Sequence, residues 1–304
     1  APRQCGKSWI MREVLWKLWE DDRFDVLKLN LEDLKMTEDT DRIIKRISDG
    51  IAEHIGMKNA DISHRDEIAF LFRKENLKKP LILIMDEFDA LPQQVIWGLA
   101  GVFRNIYNLR WEDPEPSSRK KYLLHAVALI GVRAVLGVEN VKGSPFNVQR
   151  SIHIPNLTQE ETASMFRWYE AESGQKLEKE VIDRIFYETR GQPGLVSWFG
   201  ELLTEGFEEY VPDKTGPVTD EAFEDVYAAA LQILPNNNII NIISKAREEP
   251  YKNSVLEIFR TGEKIPFEFD DRHTGFLYMN GVIGREVIGR KYFIRFSCPF
   301  VQKR

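Results

Sequence analysis

Cysteine is nearly missing from this chain: its 304 residues hold two, Cys5 and Cys298. Two thiols are too few for a disulfide framework or a zinc site, and such sparse usage fits a reducing cytoplasm. Long apolar runs are missing as well, and nothing at the start has the build of a signal peptide. The expectation is a soluble, cytoplasmic protein with no membrane partner. No internal repeat or low-complexity tract occurs, and the composition is neither disordered nor fibrous. A strong excess of positive charge is also absent. The net charge is −6 and unevenly placed, with +4 over residues 245–304 and −10 over the rest. A mildly basic tail is compatible with nucleic-acid contact, but a solvated face explains it as well, so DNA is not the favoured partner.

What is present is a composition 43% hydrophobic over a length that holds more than one core, so two or three domains are expected. Two motifs lie within it. The first is Gly6-Lys7-Ser8; the second is the apolar run Leu81-Ile82-Leu83-Ile84-Met85 ending in Asp86-Glu87. A phosphate-binding loop needs glycine where backbone N–H groups approach the phosphates, lysine for the β/γ oxygens and a hydroxyl for Mg²⁺. Gly6, Lys7 and Ser8 are those three parts. Pro2, Arg3, Gln4 and Cys5 fill the loop before them and Trp9 follows, so the nucleotide-binding stretch is expected to run from Pro2 to Trp9. A buried parallel strand ending in an acid would put Asp86 on the same Mg²⁺, with Glu87 orienting the attacking water. A short Gly-Lys-Ser also arises by chance, and any buried strand entering a polar loop can end in Asp-Glu. In this order, with βα patterns between them, the two motifs point to ATP or ADP with Mg²⁺. The full loop pattern has its first glycine at the place of Ala1. Such a loop follows a central strand, so the chain is expected to be a fragment whose first strand lies upstream.

Apolar periodicity outlines the rest. Trp9, Ile10, Val14, Leu15, Leu18 and Trp19 fall at helical spacing and read as core. Asp25 to Leu31 is an expected strand, and Ile43, Ile44, Ile47, Ile51 and Ile55 mark a helix. A further helix is expected over Asp66 to Asn76 before the strand ending at Met85. Val95, Leu99, Val102, Phe103 and Ile106 mark the next helix, and His125 to Gly131 the next strand. Helix and strand in alternation imply an α/β fold with a doubly wound parallel sheet. Arg133, just past that last strand, falls where ligands meet such sheets and is a candidate γ-phosphate sensor, with an ordinary surface arginine as the equal alternative. A short strand is expected over Ser151 to Ile154. Thr158-Gln-Glu-Glu161 reads as a capping box opening a helical second domain, and Arg190-Gly-Gln-Pro-Gly194 breaks that domain sharply. Near the end, Gly281 to Gly284 and Tyr292 to Phe296 read as two strands after helices, which suggests a winged helix.

As a set, Ala1-Pro-Arg-Gln-Cys-Gly-Lys-Ser8, Leu83-Ile-Met-Asp-Glu-Phe-Asp89, Gly131-Val-Arg133, Ser144-Pro-Phe-Asn147 and Thr189-Arg-Gly-Gln-Pro-Gly194 resemble the bacterial AAA-like ATPases allied to the STAND class. The resemblance implies a P-loop ATPase core over 1–155, a helical lid over 156–234 and a winged helix over 235–304. It implies that Lys7 and Ser8 bind phosphate and Mg²⁺, that Asp86 holds the metal and Glu87 activates water, and that Arg133 is the sensor. Gly191 and Pro193 match the lid's Gly-x-Pro turn, which in STAND proteins packs near the adenine. Arg104 and Arg150 are candidate arginine fingers with nothing to distinguish them.

Three functions remain open from the sequence. The first is a regulatory ATPase whose lid responds to nucleotide and whose tail signals to a protein effector or an oligomer partner. The second is a DNA-binding initiator or loader, with Arg285, Arg290, Lys291 and Arg295 meeting phosphates, though Glu263, Glu268, Asp270 and Asp271 lie close by. The third is an interaction scaffold that nucleotide merely stabilises.

Overall fold

The computed structural model of the chain describes residues 5–57, 62–131, 152, 154–206 and 215–304. The chain divides into two compact units, Ser8–Ile152 and a second that takes in His153–Arg304 together with the residues up to Lys7.

In the first unit, helix α1 (Lys7–Trp19) is followed by strand β1 (Asp25–Asn30), helix α2 (Thr40–His54), the single turn α3 (Ile68–Leu71), strand β2 (Leu81–Asp86), helix α4 (Gln93–Glu112) and strand β3 (Leu124–Leu129). The strands form one parallel sheet in the order β1-β2-β3. Residues of β2 are apolar almost throughout because both faces are covered. Leu81, Leu83 and Met85 share a core with Leu27, Leu29, the isoleucines of α2, and Leu99 and Phe103 of α4. Ile84 and Val26, on the opposite face, pack against Met11 and Leu15 of α1. Helix α2 starts where Asp39 accepts bonds from the Asp41 and Arg42 N–H groups, satisfying donors that a helix start leaves open.

Two expectations about this unit fail. Helix α3 stops at Leu71 instead of running to Asn76, because the backbone pairs elsewhere: Leu123 N–H donates to Phe72 O and Lys74 N–H to Lys121 O. The apolar side of α1 is not all core either. Met11 and Leu15 are buried, whereas Trp9, Ile10, Val14 and Trp19 are 68%, 46%, 44% and 61% exposed. A helix lying on one sheet face buries a narrow i, i+4 stripe, and the neighbouring positions turn outward. There Arg12 sits over the Trp9 and Trp16 rings, 5.5 and 4.7 Å from their centroids.

The second unit contains α5 (Gln159–Ser173), α6 (Lys179–Thr189), α7 (Pro193–Glu201), α8 (Asp220–Gln232), α9 (Asn237–Arg247), α10 (Tyr251–Arg260), α11 (Arg272–Met279), an antiparallel hairpin β4 (Ile283–Ile288) and β5 (Lys291–Phe296), and α12 (Pro299–Lys303). Thr158 caps α5 through a reciprocal box with Glu161, as its spacing predicts. Residues on both sides of position 234 share one hydrophobic cluster, from Phe166 to Phe300. Strand β4 begins later than expected, at Ile283, because Gly281 turns the chain after α11 with φ of 75°. Ile152 and Ile154 lie in neither helix nor strand, and the rest of the strand expected over 151–154 lies outside the described residues.

Candidate functional site

Gly6 has φ of 83°, and a Cβ there would meet nothing within 4 Å. Positive φ is open to glycine at no steric cost, so the turn into α1 suits this residue. Lys7 is the first residue of α1 and Ser8 the second. The first N–H groups of a helix lack intrahelical partners and carry the positive end of its dipole, which favours phosphate. Cys5 is buried, and Trp9, one place beyond Ser8, is largely exposed. Pro2, Arg3, Gln4 and Arg133 lie outside the described residues, as do Arg150 and Ser144–Asn147.

Asp86 is the last residue of β2, the middle strand of the three described, with Asn30 beside it on β1. Its carbonyl accepts from Leu31 N–H, and Met85 O accepts from Ile130 N–H. The acid is therefore fixed between two neighbouring strands at their carboxyl ends, where open α/β sheets bind ligands. Pairing register places Lys28 opposite Ile84. Alternation then puts Val26, Lys28, Ile84 and Asp86 on the face that carries α1. Lys28 Nζ is 3.1 Å from Asp86 Oδ2, with the Asp86 side chain 15% exposed.

Glu87 follows in the left-handed region, φ 55° and ψ 37°. A non-glycine residue held there costs about 1 kcal/mol or more and is found chiefly where surrounding structure demands it. Here Glu87 N–H donates to Asp86 Oδ1 at 3.2 Å, and Phe88 N–H donates to Ile130 O at 2.8 Å. The chain is thus turned sharply as it leaves the strand. Across from it, Gly131 has no space for a side chain, since a Cβ would overlap the Asp89 carboxylate.

The model of the AAA-like domain family matches residues 1–205. This chain belongs to the AAA-like domain family. Two solved structures share its fold. The Walker-type ATPase of Pyrococcus abyssi is 14% identical with a TM-score of 0.55, over 99% of this chain and 88% of that one. The ORC2 protein of Aeropyrum pernix is 13% identical with a TM-score of 0.51, over 100% of this chain and 83% of that one. No curated protein matches the sequence. The fold of this AAA-like protein is that of the P-loop ATPases, with helices flanking a parallel sheet. Among the described residues no helix is long and apolar enough to cross a membrane.

In this AAA-like chain, Pro193 is the first residue of α7, after Arg190 in the left-handed region and Gly191 at φ of 68°. Gln192 caps α7 by accepting from Leu195 N–H at 2.6 Å. The turn is tight because Leu157 N–H donates to Gly191 O, and a Cβ on Gly191 would overlap the Leu157 carbonyl. Two participants escaped the sequence reading, Lys28 beside Asp86 and Asp89 against Gly131. The only signal for Lys28 was a lysine set between two leucines of a strand. For the second pair there was none, because their proximity depends on the pairing of β2 with β3.

Proposed function

We propose that this chain binds ATP with Mg²⁺, hydrolyses it, and acts as a nucleotide-dependent switch. Residues 156–234 serve as the lid and 235–304 as a winged helix that passes the change to a protein effector or a second copy. The observation that carries this is Asp86-Glu87 at the carboxyl end of a central parallel strand, in an AAA-like chain whose Gly6-Lys7-Ser8 heads the helix packed on the same sheet face. The fold neighbour from Aeropyrum pernix was solved in ADPNP–ADP complexes, which supports an adenine nucleotide here.

An oxygen donor set, the Ser8 hydroxyl and the Asp86 carboxylate, fits Mg²⁺. Bound there, the ion supplies charge neutralisation of phosphate oxygens. Lys28, already paired with Asp86, holds that carboxylate in place and competes for it. Lys7 and the N–H groups of the first turn of α1 bind the phosphates. Glu87 takes the proton of the attacking water, aimed by its left-handed backbone. Arg133 reads the γ-phosphate, and Pro193 is the residue that the family resemblance gives for the nucleotide in the Gly-x-Pro turn. A ligand shifts a switch only by its differential affinity for the two states, and the γ-phosphate is the group that differs between ATP and ADP.

Steady-state hydrolysis measured beside nucleotide binding tests this. Glu87→Gln should lower turnover roughly 10²–10⁴-fold while ATP still binds, and Lys7→Ala should lose binding. Turnover unchanged by Glu87→Gln would overturn the catalytic assignment.

A further inference from the structure

Lys28 alternates along β1 with Leu27 and Leu29, so its side chain leaves the sheet on the face that carries Val26 and α1. Opposite Ile84 in the register, it has Asp86 as its diagonal neighbour two residues along β2, within reach of a long side chain. The Lys28 side chain is 31% exposed and has water at hand, yet its ammonium turns along the sheet to Asp86 Oδ2 at 3.1 Å, on a side chain only 15% exposed. The other carboxylate oxygen, Oδ1, accepts from Glu87 N–H at 3.2 Å. Both oxygens of the acid are therefore engaged, one of them by a full positive charge.

A carboxylate shielded this far from water needs a cation or a donor beside it, and Lys28 supplies one from within the chain. The same contact sets a condition on metal. A second cation on this carboxylate meets the charge of the ammonium, and like charges a few ångströms apart in a partly buried site repel. Lys28 has to withdraw, and its flexible four-carbon stem lets it do so. An anion that arrives with the metal gives it somewhere to go, since an ammonium is a point charge suited to phosphate oxygens.

We propose that Lys28 is a positioning residue that reserves the Asp86 carboxylate, so that the site takes Mg²⁺ together with a nucleoside diphosphate or triphosphate and only weakly as the free ion. The ammonium holds the acid in orientation until phosphate oxygens draw it off, and metal and nucleotide bind with positive coupling. This role rests on the reading of Asp86 as the metal-holding carboxylate.

The test is a titration of the full chain with Mn²⁺ in place of Mg²⁺, followed by electron paramagnetic resonance, with and without ADP. Without ADP, Lys28→Met and Lys28→Gln should each bind Mn²⁺ about tenfold or more tighter than the unaltered chain, glutamine keeping a donor to Asp86 should methionine disturb the strand. Lys28→Arg keeps the charge and should bind as weakly as the unaltered chain. With ADP the gap between the unaltered chain and Lys28→Met should close, because the phosphates then hold the ammonium. Adding Asp86→Asn to Lys28→Met should abolish the gain. Equal affinity in the unaltered chain and both neutral variants, a gain in Lys28→Arg as large as in Lys28→Met, or a gap that ADP leaves unchanged would overturn the role of Lys28. In those cases ADP-dependent Mn²⁺ binding that Asp86→Asn alone removes would leave the metal reading standing. A gain that survives Asp86→Asn would overturn both.

Discussion

The helical cluster of the second unit and helix α1 of the first place their aromatic residues in opposite ways. In the second, Phe199, Phe223, Tyr227 and Phe300 meet ring to ring at 5.2–6.0 Å inside one cluster. In the first, Trp9, Trp16 and Trp19 of α1 stand outside. Intrinsic hydrophobicity is comparable, so the difference comes from the partner surface. Helices converging from several directions enclose a ring on all sides, while a helix on a sheet face is enclosed on one. The second unit also closes its core with a polar lock. Lys303 Nζ donates to Glu188 Oε1 at 2.7 Å and to the Tyr227 hydroxyl at 2.8 Å, and that hydroxyl donates to Glu188 Oε2 at 2.7 Å. Burial pushes Tyr227 up to about 12, so it remains a donor at neutral pH. In the first unit Asp86 and Glu87 instead stand at the end of a strand, where chemistry is proposed.

Glycines in the two units sharpen the contrast. Gly191→Ala should have the largest effect, destabilising by about 3 kcal/mol or more, because the added carbon meets the Leu157 backbone and the φ is positive. Urea unfolding followed by circular dichroism reads this, and a loss below 1 kcal/mol would show that the turn yields. Lys303→Met should cost about 2 kcal/mol, because it takes the charged partner from the Glu188 carboxylate, which is 6% exposed, while the Tyr227 hydroxyl still donates to it and softens the loss. The same unfolding curve in Glu188→Gln, Lys303→Met checks it, since the double variant should recover part of the loss. Gly131→Ala should cost about 1.5 kcal/mol, less than at position 191, because the overlapping atoms belong to the Asp89 side chain and not to backbone. An equal cost at positions 131 and 191 would erase the distinction between a clash with backbone and a clash with side chain.

Much of the fold was legible in the sequence. The α/β alternation, the strand ending in Asp86, the capping box at Thr158 and the break at Arg190–Gly194 are all local patterns, and each appears where its residues predict. The helix expected over 66–76 was misread because pairing of Phe72 and Lys74 with residues 121–123 overrides local propensity. The lysine on Asp86 was missed because register, not spacing, brings Lys28 to it.

The sequence alone determined which residues are the candidates proposed for phosphate, Mg²⁺ and water activation, because such candidates are picked by side-chain type and short spacing. It also determined where α5 begins, since the box between Thr158 and Glu161 is satisfied within a few residues. Only the tertiary structure decided which apolar residues of α1 are buried, that Lys28 shares a face with Asp86, and that Lys303 closes on Glu188 and Tyr227. Those outcomes depend on contacts between segments distant in the chain, and no local pattern encodes them.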